Sequence, residues 1–274
     1  MADYKALRGF TIHTVAGDPS NLISGQVWYN SSSKKVKGSK LAVGAWASGG
    51  DLSSGDLKHK ACFGTYQAAQ ASGGHNAAGE AKGFSEQYDG TSWTEVGDWN
   101  VNRGYGGNAG TTTAGLCMGG YDQAGAARDI SEEWNGTSWT EGNNLNATKY
   151  YAGSCGTQTA AMMVGGQNTT IGAQFETYDG TSWTEEDHGL NTARYACSGW
   201  GITTSALMAG GSTATAWQAT TETYDGTSWT ETGDLGTAKS GEGGSSLATA
   251  SVGTDGLKFG GAGSPPHTAT TEQF

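Results

Sequence analysis

The sequence predicts an all-β fold, a five-bladed β-propeller of four-stranded antiparallel blades, and three observations carry the prediction. The stretch Tyr-Asp-Gly-Thr-Ser-Trp-Thr-Glu occurs at 88–95, 178–185 and 224–231, and a fourth copy at 134–141 has Trp134 and Asn135 in place of Tyr and Asp. The Trp of that stretch recurs at Trp93, Trp139, Trp183 and Trp229, and a worn copy around Trp46 extends the series at intervals of 44–47 residues. A Gly-Gly pair keeps the same period, at 73–74, 119–120, 165–166, 210–211 and 260–261. A repeat of about 40–50 residues with internal strands is the signature of a propeller in which each repeat builds one blade.

Residues 1–40 lie outside the repeat and are expected to form an N-terminal extension or attachment element, leaving 41–274 for the propeller. Within the extension, Gly17-Asp18-Pro19-Ser20-Asn21 is a turn cluster, and residues 26–29 and 34–37 read as two short strands around the polar turn 30–33. Met1 to Val15 has no apolar core of the kind a signal peptide needs, so synthesis in cytoplasm without export is expected. No apolar run approaches the roughly 20 residues of a membrane span, so no membrane insertion is expected.

The third repeat illustrates how one period divides into strands. Residues 149–155 are expected as the inner strand a, and 156–158 as a turn. The apolar run 160–164 is strand b, the kind of strand that is covered on both faces. Gly165-Gly166 then lets the backbone turn or approach a neighbour without a Cβ clash. After a variable loop, 174–178 is strand c, Asp179-Gly180-Thr181-Ser182 is a hairpin, and Trp183 opens the outer strand d. Asp bonds its own backbone two residues on and Gly tolerates positive φ, which is the chemistry such a hairpin requires. Tyr178 and Trp183 should face each other across the two strands, and each repeated Trp is expected to pack against the next blade as a scaffold anchor.

One basic and one acidic residue also recur in register. Arg103, Lys149, Arg194 and Lys239 precede strand a, and Glu86, Glu132, Glu176, Glu222 and Glu272 fall in strand c. They would form either a ring of partly buried ion pairs or solvated charges at strand ends. In the first repeat, Leu57 takes the basic position, with Lys58 beside it. The last repeat supplies strands a to c and stops at Phe274, while the strand around Trp46 is a strand d with no a, b or c before it. The two fragments complete one blade, a closure that removes free sheet edges.

Composition bounds function. Gly makes up 47 of 274 residues, but ten Trp and eleven Tyr in regular spacing argue for a packed fold. A net charge of −11 disfavours nucleic acid as a partner. The four cysteines have no metal-ligand spacing and fall in apolar strands, where thiols behave as small apolar groups. The five histidines share no register. No catalytic, cofactor or metal site is expected; Glu242 and Asp255, in the irregular fifth repeat, are the only weak candidates for glycosidase carboxylates. Ligand recognition belongs where the repeats disagree, in the b–c loops, with His75, Tyr121, Trp217 and His267 as candidates. Trp217 has two readings: stacking on a sugar ring, or folding back over its own blade. On the opposite face Trp200 and Tyr66 lie near a–b turns.

The Gly-Gly after strand b and the Trp in strand d of a roughly 46-residue β repeat resemble the kelch-type propeller family. The copies of Tyr-Asp-Gly-Thr-Ser-Trp-Thr-Glu more specifically resemble propeller-repeat proteins of tailed bacteriophages, marine and cyanobacterial phages in particular. Tyr4-Lys5-Ala6-Leu7-Arg8-Gly9 and Gly25-Gln26-Val27-Trp28-Tyr29-Asn30-Ser31 resemble the N-terminal part of phage virion proteins. The resemblance implies a virion structural protein on a tail fibre or other surface appendage, contacting other virion proteins and possible copies of itself. It carries no catalytic residues. The alternative is a lectin-like receptor-binding module for a host cell-surface glycan.

Overall fold

The computed structural model describes residues 13–17, 27–38, 50–55, 57–241, 257–263 and 271–273. The chain divides into two compact units, Met1–Ser48 and Gly49–Phe274. All regular structure among the described residues is β-strand or turn.

In the first unit a three-stranded sheet forms in the order His13–Val15, Val27–Asn30, Lys35–Gly38. The antiparallel pair is the hairpin read from the sequence, and the parallel strand His13–Val15 is an addition to it. The Asn30 side chain accepts a hydrogen bond from the Ser33 amide at 2.9 Å, and Lys34 takes the positive φ that closes the turn. Trp28 is buried.

The second unit contains four four-stranded antiparallel sheets, each a meander of strands a to d in chain order. They run Ala61–Thr65, Ala68–Ser72, Ser85–Tyr88, Trp93–Val96 in the first; Gly107–Thr111, Ala114–Met118, Ser131–Trp134, Trp139–Glu141 in the second. The third has Gly153–Thr157, Ala160–Val164, Phe175–Tyr178, Trp183–Glu186, and the fourth Ser198–Ile202, Ser205–Ala209, Thr221–Tyr224, Trp229–Glu231. Leu257–Phe259 and Thr271–Gln273 pair antiparallel beyond them. The a strands of consecutive sheets lie against one another, which is the blade arrangement of a β-propeller.

Strand a of the third blade begins four residues later than the sequence predicts and runs to Thr157. The reason lies in two backbone steps: Tyr151 at φ 56 breaks the extended chain before the strand, and Gly156 at φ 113 lets it continue past the expected turn. A side chain on Gly156 would strike the Ala160 carbonyl and the Ala161 Cα. The equivalent Gly64, Gly110 and Gly201 have φ between 100 and 111.

In the second, third and fourth blades the recurring charges are buried ion pairs. Arg103 pairs with Glu132, Lys149 with Glu176 at 2.8 Å, and Arg194 with Glu222, all within their own blades. Asn100, Asn146 and Asn191, each three residues before the cation, complete the clamp. The Asn146 amide and side chain donate to Glu176 at 2.6 and 3.0 Å, and the side chain also donates to the Trp183 carbonyl at 3.0 Å. Asn191 and Asn100 repeat the same bonds to Glu222 and Glu132. The first blade improvises. Leu57 does hold the backbone position of the cation, but the charge comes from Lys60, whose stem enters the slot from the strand side, with Nζ 3.7 Å from Glu86. Ser53 and Ser54 replace the Asn as donors to Glu86. Burial alone would raise the Glu86 carboxyl, but these Ser donors outweigh it and hold it at about 2.

The Gly-Gly pairs stitch blade to blade. All five have both residues at positive φ. The second Gly amide donates to the carbonyl of the next blade's cation: Gly74 to Arg103 at 2.9 Å, Gly120 to Lys149 at 2.9 Å, Gly166 to Arg194 at 3.0 Å and Gly211 to Lys239 at 2.9 Å. A Cβ on Gly165 would meet the Arg194 carbonyl at 2.5 Å, so this close approach requires Gly.

The hairpin register is as expected. Tyr88, Trp134, Tyr178 and Tyr224 pair across the strands with Trp93, Trp139, Trp183 and Trp229, and Tyr178 stacks on Trp183 with ring centroids 4.9 Å apart. Trp139, Trp183 and Trp229 are buried and Trp93 is half-buried, whereas Trp46 lies outside the described residues. The direction of packing differs from the expectation. Trp139 packs edge-on to Phe63 and Trp229 to Phe175, so each Trp covers the preceding blade. The outer strands lean back because the preceding blade offers an apolar strand pair there, such as Cys155, Met162 and Phe175 beneath Trp229.

Candidate functional site

Two residues after the register of the clamp cation, each chain segment makes the same backbone step. His59, Tyr105, Tyr151 and Ala196 have φ of 59, 60, 56 and 52. Positive φ on a non-Gly residue costs on the order of 1–3 kcal/mol and persists only where neighbours hold it. Here they do so by a staircase of backbone hydrogen bonds: the Tyr105 amide donates to His59, Tyr151 to Tyr105 at 2.9 Å, Ala196 to Tyr151 at 2.6 Å, and Gly241 to Ala196. A central cavity of about 300 Å³ opens among these residues, floored by Cys62, Gly106, Ala152 and Cys197.

The step turns the side chains at 59, 105 and 151 toward one aromatic cluster on the face of the b–c and d–a loops. Tyr105 is its hub, with ring centroids 4.1 Å from His59, 4.8 Å from His75 and 4.3 Å from Tyr151. Tyr121 joins edge-on to Tyr105 at 6.5 Å and tilts over Tyr150 at 4.9 Å, and Tyr195 extends the cluster beyond Tyr151. A second cavity, of about 390 Å³, lies between the b–c loops of the first two blades and shares His59 and Tyr105 with the first. Its walls are tied together by Gln123, whose side-chain oxygen accepts the Ala81 amide at 2.6 Å across the blade boundary.

The electrostatics of this mouth are close to neutral. Burial, then the nearby His75 and Lys58, lowers His59 to about 4, and burial also lowers His75 against the opposing pull of Asp122. Asp122 is committed to the Ala126 amide and to Arg128. Lys58 is exposed at the rim. Cys62 lines the central cavity and is exposed, unlike Cys117, Cys155 and Cys197, which are buried as the sequence predicts.

Of the predicted ligand-binding residues, His75 and Tyr121 meet at this cluster. His75 is buried, deeper than a loop residue would be, because it pairs with Lys58 in a short backbone bridge. Trp217 stands apart in the fourth blade's loop, bridged to Ser212, with 37% of its surface exposed. His267 lies outside the described residues, as do Glu242 and Asp255. Trp200 lies near its a–b turn as expected and is 3% exposed in strand a of the fourth blade, packed with Leu207 and Ala209 in the core. Tyr66 is 77% exposed at its a–b turn. Sequence reasoning missed Tyr105, Tyr150, Tyr151, Tyr195 and His59. A signal was present, since an aromatic follows the cation within two residues in Arg103-Gly104-Tyr105, Lys149-Tyr150-Tyr151 and Arg194-Tyr195. Among the described residues no group of His, Cys, Asp and Glu could hold a metal ion.

No family model and no curated protein matches the chain. Among solved structures, that of YjhT is similar to it with a TM-score of 0.71 at 11% identity, covering 85% of each chain. At that identity the likeness speaks to the fold, and with the meander sheets around a shared inner layer it makes this chain a β-propeller.

Proposed function

We propose that the chain is a structural protein of a tailed-bacteriophage virion, part of a tail fibre or surface appendage, in which a five-bladed propeller presents a rigid face to other virion proteins. The observation that carries this reading is the contrast between frame and face. The buried clamp of Asn, cation and Glu repeats in the second, third and fourth blades, while the b–c loops above it share almost nothing. A frame of that kind holds recognition loops in place at little entropic cost. Five blades are supported by five Gly-Gly pairs in one conformation and by four staircase hydrogen bonds that link five chain segments, at 59, 105, 151, 196 and 241. The closure read from the sequence, by a strand around Trp46, falls outside the described residues and stays part of this proposal.

Immunogold labelling and peptide mass spectrometry of purified phage particles test the reading; absence of the chain from particles overturns it. A second reading, recognition of a host cell-surface glycan, is favoured by one observation, the aromatic cluster around Tyr105. Binding of the isolated chain to host cells would support that reading, and its failure to bind host cells or any glycan would remove it.

A further inference from the structure

We propose that the cavity between the first two blades binds a neutral pyranose, which stacks on Tyr121, lies against Tyr105 as the inner wall, and hydrogen-bonds to Gln123. The inference rests on the glycan-recognition reading and places the site.

The cavity, about 390 Å³, falls in the range of small-molecule sites, concave and lined by aromatic groups with a few polar ones. Tyr105 and Tyr121 meet at 76°, an open corner. A flat aromatic ligand gains most between parallel faces, whereas a pyranose sets its C–H face on one ring and leaves its hydroxyls to polar edges. Those edges are present. Gln123 has spent its oxygen on Ala81, and its amide N–H donors have no protein partner among the described residues. The His75 ring packs against Tyr105 and lines the same cavity. The blades are already tied by the Gln123 bond, so the corner is preformed. Charge selects within the class. Asp122 is neutralised by Arg128 and Lys58 stands at the exposed rim, so the described walls hold no buried cation for a carboxylate and suit a neutral sugar.

Backbone conformation supplies a clean test. Tyr105 has a φ of 60, a conformation glycine adopts freely, so Tyr105→Gly removes the ring and suits the backbone. The full chain, Tyr105→Gly, Tyr121→Ala and Trp217→Ala are titrated by saturation-transfer NMR and calorimetry with the methyl glycosides of glucose, galactose, mannose and N-acetylglucosamine, and with methyl glucuronide. The expected result is binding of at least one neutral glycoside, weakened about tenfold or more by Tyr105→Gly and by Tyr121→Ala, with Trp217→Ala unchanged and circular dichroism melts preserved. Binding that survives both tyrosine variants and is lost in Trp217→Ala overturns the site and leaves glycan recognition standing. No binding of any neutral glycoside, or a preference for the glucuronide, overturns the proposal itself. So does binding to a virion protein that is lost in Tyr105→Gly with no glycoside bound, which would make the corner a protein contact.

Discussion

At the scale of single residues, the clamp glutamates decide more than their abundance would imply. Glu222 and Arg194 are both buried completely, and each needs the other to cancel its charge. Glu222→Gln keeps the shape and strands the guanidinium, so it should cost about 3–5 kcal/mol. Lys82 and Glu80, 3.0 Å apart and largely in solvent, are the control: Lys82→Gln should change stability by less than about 1 kcal/mol. Chemical denaturation of both variants checks the contrast. The acidic half of the clamp was legible in the sequence because it recurs at one register. Its Asn was equally periodic and overlooked, and Lys60 was illegible, because a cation three residues out of register reaches the slot only through the path of its flexible stem.

The histidines at the mouth give a pH signature. His59 titrates at about 4 in the folded chain against 6.5 when unfolded. As pH falls below 6.5 the unfolded chain takes the proton first, so this contribution is complete above 6.5 and is lost progressively down to about 4. His75 is shifted in the same direction. Glu86, lowered from 4.5 to about 2, contributes in a separate window below that of the histidines. Melting temperatures should therefore decline between pH 6.5 and 4, and His59→Gly, which fits the φ of 59, should flatten that decline. An unchanged slope in the variant would contradict the assignment.

At the scale of elements, the repeated hairpin is held by one side chain. The Asp179 carboxylate accepts the Thr181 and Ser182 amides at 2.8 and 2.7 Å, and Asn135 does the same for Thr137 and Ser138 at 2.9 and 3.0 Å. The protein thus already contains the substitution. Asp179→Asn should leave the urea midpoint nearly unchanged, while Asp179→Ala, which removes both acceptor bonds, should lower it measurably. The hairpins were legible because local turn chemistry decides them. Strand a was less so: its start depends on the positive φ of Tyr151, which the neighbouring blade's carbonyl holds in place. The burial of Trp200 was illegible for a related reason. Its proximity in sequence to an a–b turn says nothing of the side on which a twisted inner strand presents it.

At the scale of the whole molecule, the open question is how the ring of blades ends. Thr271–Gln273 pairs with Leu257–Phe259 through one edge, and under the proposed closure it is a c strand whose other edge a d strand would cover. In each complete blade that d strand begins with Trp, and the remaining Trp in register is Trp46. Two deletions separate closure from mere attachment. Removing residues 1–38 takes away the three-stranded sheet of the first unit but keeps Trp46, and this variant should melt cooperatively near the temperature of the full chain. Removing residues 1–48 takes Trp46 as well. It should lower the melting temperature sharply and promote aggregation, since an unpaired strand edge templates association. Thermal melts with light scattering distinguish the two, and coincident melts for both deletions would mean that the last blade finds its fourth strand elsewhere or does without one.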